Sequence, residues 1–321
     1  MNRRSFLCLV LATPFGAPAL AADVHRLGFI SSSTTKLDSP LLVAFRERLK
    51  ELGYEEEKNI AVNYGFAQSA DELPRIAERM VADGVELIVA AGSEAILAAK
   101  NATTRIPIVM ANSGDAVRAG FVASLNRPGG NVTGLTQISP ELVDKRLEIL
   151  TEIFPDLKNV GVLWNPNHPN TPVAFQEGTE AATQLSLALI SVQATEPQEI
   201  APALARAASE GVKAFLVIRD PMIVRSRDVI VKAFSKLGLA AIFETPDFVE
   251  AGGLIAYGAD LAELFRRAAD YVDRILEGAS PAELAVQQPT SFRLVVNQRT
   301  ARDLGIEIPL ALLATADEVV E

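Results

Sequence analysis

Short apolar segments alternate with amphipathic segments along almost the whole chain, and this alternation constrains the fold most. The segment RLGFIS, residues 26–31, is apolar, and the next segment, residues 39–53, repeats apolar residues every three or four positions. The first pattern predicts a buried strand and the second a helix with one apolar face. Ser39 is placed as the N-cap of that helix and Gly53 as its end. Strands without polar alternation need helices on both sides, so the sequence predicts parallel sheets.

The alternation runs through two series. The first covers residues 26–112, and the second begins after the turn segment RPGGN and covers residues 141–244. A chain of 321 residues is long enough for two hydrophobic cores. We therefore predict an α/β protein with two Rossmann-like lobes, each a doubly wound parallel sheet. Two further strand-helix pairs, residues 253–278 and 291–305, are compatible with either lobe.

Residues 1–22 form a segment of different character. Arg3 and Arg4 precede an apolar run, and Ala19 and Ala21 stand at the two positions that a signal peptidase reads. This is the pattern of a cleavable export signal, of either the twin-arginine or the general secretion type. We expect a periplasmic protein. The only cysteine, Cys8, lies inside this signal, so no disulfide is expected in the mature chain.

Composition and spacing exclude several classes of partner. The net charge is −10 and the basic residues are scattered, which does not fit a nucleic-acid-binding protein. Two distant histidines do not have the spacing of a zinc site, and no phosphate-binding Gly-rich motif is present. We therefore expect no cofactor and no metal. We also expect a monomer.

Eight apolar strands end in hydroxyl, amide or carboxylate side chains. Helix capping explains any one of these ends. Eight polar strand ends, distributed over two lobes, indicate a ligand cleft between the lobes. The reason is that ligands of open α/β sheets bind beyond the carboxyl ends of the strands. The candidate ligand-binding residues are Ser32, Ser33, Ser93, Asn112, Ser113, Asp115, Thr136, Gln137, Trp164, Asn165, Asn167, Asp220, Glu244 and Tyr257.

A serine hydrolase is the main enzymatic alternative. Ser93 in AGSEA lies between a predicted strand and a helix, as a nucleophile does, and His168 follows it in the chain. The strict Gly-x-Ser-x-Gly pattern is absent, and His168 belongs to the second lobe. A fixed hydrogen bond between the two would require permanent closure. Ser93 is better interpreted as an N-cap and ligand donor, so no enzymatic activity is expected.

Several long phrases carry a family resemblance. The segments IPIVMANSGDAVRAGFVASLNRPGGNVTGL, GVLWNPNHP, FVEAGGLIAYGADLAELFRRAADYVDRILEGASPAEL and QQPTSFRLVVNQRTARDLGIEIP resemble the ABC-transporter periplasmic substrate-binding family that includes tryptophan and aromatic amino-acid binders. The resemblance implies a type I periplasmic binding fold whose chain crosses between lobes near Gln137, Gly253 and Gln287. Lobe 1 would then hold residues 23–136 and 254–286, and lobe 2 residues 137–253 and 287–321.

The resemblance implies the solute-binding component of an ABC importer, which docks in its closed form on a membrane permease. A sensory module that presents its ligand to a membrane receptor remains an alternative. We expect a small polar ligand, with an amino acid or a derivative favoured. Asp115 or Asp220 would bind its ammonium group, and Ser32 or Ser93 its carboxylate. Trp164 is interpreted either as a stacking surface in the cleft or as a core residue.

Overall fold

The computed structural model describes residues 24–31, 37–137, 141–168 and 171–321. The predicted export signal and Ser32 and Ser33 lie outside the described residues. The strands are β1 (His25–Ser31), β2 (Ile60–Phe66), β3 (Leu87–Ala91), β4 (Ile108–Asn112), β5 (Val132–Gly134), β6 (Asn159–Trp164), β7 (Ala188–Gln193), β8 (Ala214–Val217), β9 (Ala240–Phe243), β10 (Ile255–Ala259), β11 (Phe292–Asn297) and β12 (Glu318–Val320).

Twelve α-helices in the described residues follow or separate these strands. They are α1 (Pro40–Glu51), α2 (Leu73–Ala82), α3 (Ser93–Ala102), α4 (Glu141–Ile153), α5 (Thr171–Gln184), α6 (Pro197–Ser209), α7 (Pro221–Arg225), α8 (Arg227–Leu237), α9 (Pro246–Glu250), α10 (Leu261–Leu276), α11 (Gln298–Asp303) and α12 (Leu310–Thr315). No helix among the described residues combines the length and the apolar character needed to cross a membrane.

Lobe 1 is built on a five-stranded parallel sheet with the strand order β2-β1-β3-β4-β5. Helices α1 and α10 cover one face, where Phe45 and Phe265 join the core around Phe29. Helices α2 and α3 cover the other face, with Met80 and Ile96 against the sheet. Burial on both faces is what the apolar strands predicted.

Lobe 2 is built on a seven-stranded sheet with the order β12-β11-β10-β9-β8-β6-β7. This sheet is mixed, because β11 runs antiparallel to β10. Helices lie on both faces and enclose two further core clusters. The predicted fold class of two Rossmann-like lobes with parallel-sheet cores is confirmed, with one antiparallel pair that the sequence pattern did not predict.

The chain crosses between the lobes at three adjacent places. The first follows β5, the second lies between β10 and α10, and the third lies between Gln287 and β11. The backbone N–H of Thr136 donates to Gln287 O at 3.0 Å, and that of Asp260 donates to Ser291 O at 3.1 Å. These hydrogen bonds hold the crossings side by side.

One expected boundary was wrong. The expected second crossing near Gly253 assigned β10 to lobe 1, whereas β10 pairs with β9 and β11 in the sheet of lobe 2. The crossing therefore comes at Asp260, which caps α10 by accepting from the N–H groups of Ala262 and Glu263. The strand and the helix belong to different lobes although they are adjacent in sequence.

Candidate functional site

A cavity of about 140 Å³ lies between the two lobes. Lobe 1 contributes the residues after β3 and β4 and the first turns of α1 and α10. Lobe 2 contributes the residues after β6, β8 and β9. The lining residues are Leu41, Ala91, Gly92, Ser93, Glu94, Asn112, Gly114, Asp115, Arg118, Gln137, His168, Thr171, Val173, Ala174, Ile218, Arg219, Asp220, Pro221, Val224, Arg225, Glu244, Leu261 and Phe265.

The turn from β3 into α3 places the helix N-terminus at the cavity. Gly92 has φ of 94°, a left-handed conformation that side chains rarely adopt, and it is the N-cap of α3. Its backbone N–H donates to Asn112 O at 3.1 Å, which ties this turn to the end of β4. Ser93 is the first helical residue rather than the expected N-cap, and its Oγ accepts from the Gly114 N–H at 3.4 Å. The first N–H groups of α3 therefore border the cavity.

Asp115 is engaged in the loop that follows β4. Its Oδ1 accepts from the backbone N–H groups of Val117 and Arg118, both at 3.0 Å. Arg118 Nη1 in turn lies 3.3 Å from Glu177 Oε1 on α5 of lobe 2. This ion pair crosses the mouth between the lobes, so the lobes are in a closed arrangement.

Asp220 is the carboxylate most deeply buried in the cavity wall. It follows β8 and caps the short helix α7, with Oδ1 accepting from the Ile223 N–H at 2.6 Å. The residue is only 3% exposed. Its second oxygen, Oδ2, is buried and has no hydrogen-bond partner among the described residues. A buried carboxylate oxygen without a partner is costly, so this oxygen is available to accept a hydrogen bond from a group that enters the cavity.

Glu244, at the end of β9, belongs to a buried ion pair. Arg146 of α4 is 1% exposed, and its Nη1 lies 3.5 Å from Glu244 Oε1. The same Oε1 accepts from the Arg219 N–H at 3.2 Å. Arg146 Nε donates to Tyr257 O at 2.7 Å, which anchors the guanidinium to β10. Burial lowers the pKa of Arg146, and the neighbouring Glu244 carboxylate opposes that shift. The charge of Glu244 is thus balanced within lobe 2.

Two further groups that line the cavity, Glu94 and His168, have shifted pKa values. Burial raises the pKa of the Glu94 carboxyl; Asp220 raises it further, whereas Arg225 lowers it. Glu94 belongs to lobe 1 and the other two to lobe 2, so the electrostatic interaction crosses the cleft. Burial lowers the pKa of His168, and the charge of Asp220 opposes that shift.

The structure brings six of the predicted site residues to this cavity and leaves others elsewhere. The six are Ser93, Asn112, Asp115, Gln137, Asp220 and Glu244. A second cleft of about 470 Å³ beside the hinge is lined by Thr136 and shares Asp115 and Gln137. Outside both linings lie Ser113, Trp164, Asn165, Asn167 and Tyr257.

Trp164 is placed in the core of lobe 2 rather than in the cleft. It is 7% exposed and stacks on Phe175 of α5 with ring centroids 4.9 Å apart. Its indole N–H donates to Ser191 Oγ at 2.9 Å. The interpretation of Trp164 as a stacking surface for the ligand is therefore replaced by the core interpretation. Its ring pairs with a helix residue, and its polar atom is satisfied inside the lobe.

The remaining predicted residues outside the cavity have local roles. Ser113 Oγ donates to Gly114 O at 3.0 Å, and Asn165 Oδ1 accepts from the Asn167 N–H at 3.0 Å. Tyr257 packs against the lobe 2 core and near Phe292. These polar strand ends stabilise their own turns, which is the capping explanation considered for each strand end.

Sequence reasoning missed several lining residues. Glu94 directly follows Ser93, and Arg219 directly follows Ile218 near the end of β8, so charge next to a predicted strand end was an available signal; Arg225 is the last residue of α7. The apolar part of the lining had no such signal, since Leu41, Val173 and Phe265 lie on helices that follow three different strands.

The arrangement does not support the serine hydrolase alternative. Ser93 and His168 both line the cavity, but no hydrogen bond joins them in the described part of the chain. His168 Nδ1 is buried without a partner, and Ser93 Oγ is engaged with the Gly114 N–H. A nucleophile needs a base within hydrogen-bonding reach, which these two residues do not provide.

Comparison with known proteins identifies the family. The family model described as ABC transporter substrate binding protein matches residues 41–320. The chain belongs to this family. It is a family of solute-binding proteins rather than of enzymes. A tyrosine-binding protein of Clostridioides difficile is 27% identical over 266 residues, which cover 82% of this chain and 76% of that protein.

Solved structures share the fold over nearly the whole chain. An ABC domain from Streptococcus pneumoniae in complex with L-Trp has a TM-score of 0.86 at 24% identity, covering 93% of this chain and 100% of the other. A conserved domain protein from Vibrio cholerae has a TM-score of 0.84 at 29% identity, covering 92% and 100%. A ligand-free, open substrate binding protein from Clostridium difficile has a TM-score of 0.72 at 24% identity, covering 92% and 99%.

Proposed function

We propose that this chain is the extracytoplasmic solute-binding component of an ABC importer and that it captures an aromatic amino acid between its lobes. The observation that carries this proposal is the cavity itself, which combines an apolar wall with charged side chains from both lobes. Residues 1–22 would direct export to the periplasm, and the closed form, as a monomer, would dock on a membrane permease.

The cavity offers complementary groups for each part of an amino acid. The unpartnered Oδ2 of Asp220 is suited to the ligand's ammonium group. The N–H groups at the start of α3, together with Ser93 and Arg219, are suited to its carboxylate. Leu41, Val224 and Phe265 supply an apolar surface for the side chain.

The relatives support the aromatic class among amino acids. The curated relative is named a tyrosine-binding protein, and the similar structure from Streptococcus pneumoniae contains L-Trp. Phe265 of α10 lies in the cavity lining and presents a ring of the kind that packs against another aromatic ring. Aromatic amino acids are therefore the ligands that we expect to bind most tightly.

The mechanism is closure of the two lobes around the ligand. The ligand binds to one lobe while the cleft is open, and the three crossings then allow the lobes to rotate together. Closure stabilises the ligand because it adds contacts from the second lobe and removes water. The Arg118–Glu177 ion pair, which joins the lobes, forms in the closed arrangement.

A thermal-shift screen tests the ligand class. L-tyrosine, L-tryptophan and L-phenylalanine would be compared with glycine, glucose and myo-inositol on the mature chain. A ligand at 100 times its Kd adds about 2.7 kcal/mol to the free energy of unfolding, so binding would raise the Tm clearly. We expect the aromatic amino acids to raise it most. A shift with sugars only would contradict the proposed ligand class. The importer role is tested separately by stimulation of the ATPase activity of the cognate permease complex in liposomes.

A further inference from the structure

The four carboxylates that line the cavity differ in what they bind. Asp115 accepts two backbone N–H groups and lies near Arg118, and Glu244 is paired with Arg146 and the Arg219 N–H. Glu94 and Asp220, in contrast, each have a buried oxygen without a hydrogen-bond partner in the described residues. Neither forms an ion pair with any described cationic side chain.

The two incomplete carboxylates come from opposite sides of the cleft. Glu94 is the second residue of α3 in lobe 1, and Asp220 caps α7 in lobe 2. Both line the same cavity, and the charge of Asp220 disfavours ionisation of Glu94. Asp220 Oδ1 accepts a hydrogen bond from the Ile223 N–H as the cap of α7. This hydrogen bond restricts rotation of the carboxylate and so fixes the position of Oδ2.

We propose that Glu94 and Asp220 form a two-lobe cation site that is complete only in the closed protein and that takes the primary ammonium group of the ligand. This inference rests on the proposed function and extends it. An ammonium group has three N–H donors, which suits two carboxylates at once. The site would select ligands that carry an amine over ligands of the same shape that lack one.

The pair also makes closure depend on the ligand. Without a cation, closure takes the Glu94 carboxylate out of water and exposes it to the charge of Asp220, and both effects disfavour its ionised form. Burial is the largest of these effects. Arg225 favours ionised Glu94 more strongly than Asp220 disfavours it, but it forms no ion pair with either carboxylate in the described structure. A bound ammonium compensates the buried charges and adds a favourable contact to each carboxylate. Glu94 is thus a specificity-determining residue that favours the open form when the cleft is empty.

Binding selectivity is the first test. Isothermal titration calorimetry would measure the affinity for L-tyrosine and for 3-(4-hydroxyphenyl)propionate, which lacks only the amine, and for L-tryptophan and 3-(indol-3-yl)propionate. The proteins are the wild type, Glu94→Gln, and Glu78→Gln as a control. Glu78 is an exposed residue of α2 in the same lobe. Losing a charge-assisted hydrogen bond corresponds to a loss of about 10- to 100-fold in affinity, so Glu94→Gln should reduce the preference for the amine at least tenfold.

An equal preference in the wild type and Glu94→Gln would overturn the cation site, provided that both retain the same Tm. A reduced preference in Glu94→Gln with an unchanged preference in Glu78→Gln would support it. If the wild type binds neither amino acid, the proposed ligand class fails, and a second measurement decides the further inference independently.

That second measurement needs no ligand. Small-angle X-ray scattering would give the radius of gyration of the unliganded wild type, Glu94→Gln and Glu78→Gln. Glu94→Gln has no carboxylate to bury on closure, so the unliganded variant should shift towards the compact closed form, while Glu78→Gln should match the wild type. An identical radius for all three proteins would show that the pair does not oppose closure.

Discussion

At the scale of single residues, Asp115 and Asp220 occupy similar positions but leave different atoms available. Both follow a strand and both accept backbone N–H groups in the turn after it. Asp115 has an exposed side chain with Arg118 beside it, whereas Asp220 is buried and keeps one oxygen without a partner among the described residues. The sequence analysis proposed both residues as partners of the ligand's ammonium group. Asp220 is the better candidate, because its Oδ2 has no other hydrogen-bond partner among the described residues.

Asp220→Asn should therefore weaken amino-acid binding while leaving the fold intact. Asparagine caps a helix about as well as aspartate, so the Tm should change little. The affinity should fall by about 1.5–3 kcal/mol, the range for a hydrogen bond to a charged group. Calorimetry on Asp220→Asn and Asp115→Asn in parallel checks this. A larger affinity loss in Asp115→Asn than in Asp220→Asn would reverse the assignment.

Trp164 should contribute to stability and not to ligand affinity. Its ring stacks on Phe175, and its N–H donates to Ser191 Oγ inside lobe 2. Trp164→Ala should lower the free energy of unfolding by about 3–5 kcal/mol, as for large aromatic residues in cores. Urea denaturation of this variant and of Phe292→Ala, whose side chain is 38% exposed in the wild type, gives the comparison. A loss of ligand affinity in Trp164→Ala with an unchanged free energy of unfolding would instead support a role of Trp164 in ligand binding.

At the scale of secondary-structure elements, the close approach of β10 to the end of β9 positions Glu244. A Cβ added to Gly258 on β10 would lie 2.0 Å from the backbone oxygen of Glu244, a distance that neither backbone tolerates. Glycine is therefore required for the two segments to lie this close. The pairing also explains why β10 belongs to lobe 2, although α10 begins two residues after its last residue and packs in lobe 1.

Gly258→Ala should reduce both stability and ligand affinity, because the segment that carries Glu244 must move away. Overpacking of this kind costs about 1–3 kcal/mol of the free energy of unfolding. Gly130→Ala is a suitable control, since a Cβ at Gly130 would meet no atom within 4 Å. Chemical denaturation and calorimetry would be measured on both variants. Equal stability and equal ligand affinity of the two variants would mean that small movements relieve the contact between the added Cβ and the backbone oxygen of Glu244.

At the scale of the whole molecule, both lobes contribute to the wall of the cavity. The closed arrangement buries Glu94 and His168 at the same cleft and joins Arg118 to Glu177. A carboxyl whose pKa is raised on closure holds its proton more tightly in the closed form than in the open form. Lowering the pH through that pKa therefore favours closure. His168 acts in the opposite direction, because burial lowers its pKa and penalises the protonated imidazole.

The difference between the wild type and Glu94→Gln isolates the carboxyl contribution. Arg225 and Asp220 act electrostatically on Glu94, Arg219 and His168 line the same cavity, and all four are retained in the variant. As the pH falls from 7 towards the raised pKa of Glu94, the unliganded wild type should become more compact relative to Glu94→Gln. Scattering measured across this pH range gives the result. A constant difference between the two proteins would exclude a role for protonation of Glu94.

The sequence by itself determined the two-lobed α/β architecture. Segments such as residues 87–91 and 108–112 contain no polar face, so they had to be buried between helices, whose apolar spacing was equally visible. It also predicted a cleft at the strand ends, because parallel strands bring those ends to one edge, and the structure has a cavity there. Ser93, Asn112, Asp220 and Glu244 line the cavity for this reason.

Only the tertiary structure decided which polar residues face the cavity and which stabilise their own turns. Ser113 and Asn165 are as polar as Asn112, yet their side chains are engaged in local hydrogen bonds. The placement of β10 in lobe 2 likewise depended on its pairing with β9. The residue pattern of a single strand does not show which strand it pairs with. Glu94 and Asp220 are 126 positions apart in the chain. Both line one cavity because of how the two lobes are arranged, and such long-range geometry is not encoded in the local periodicity from which elements are predicted.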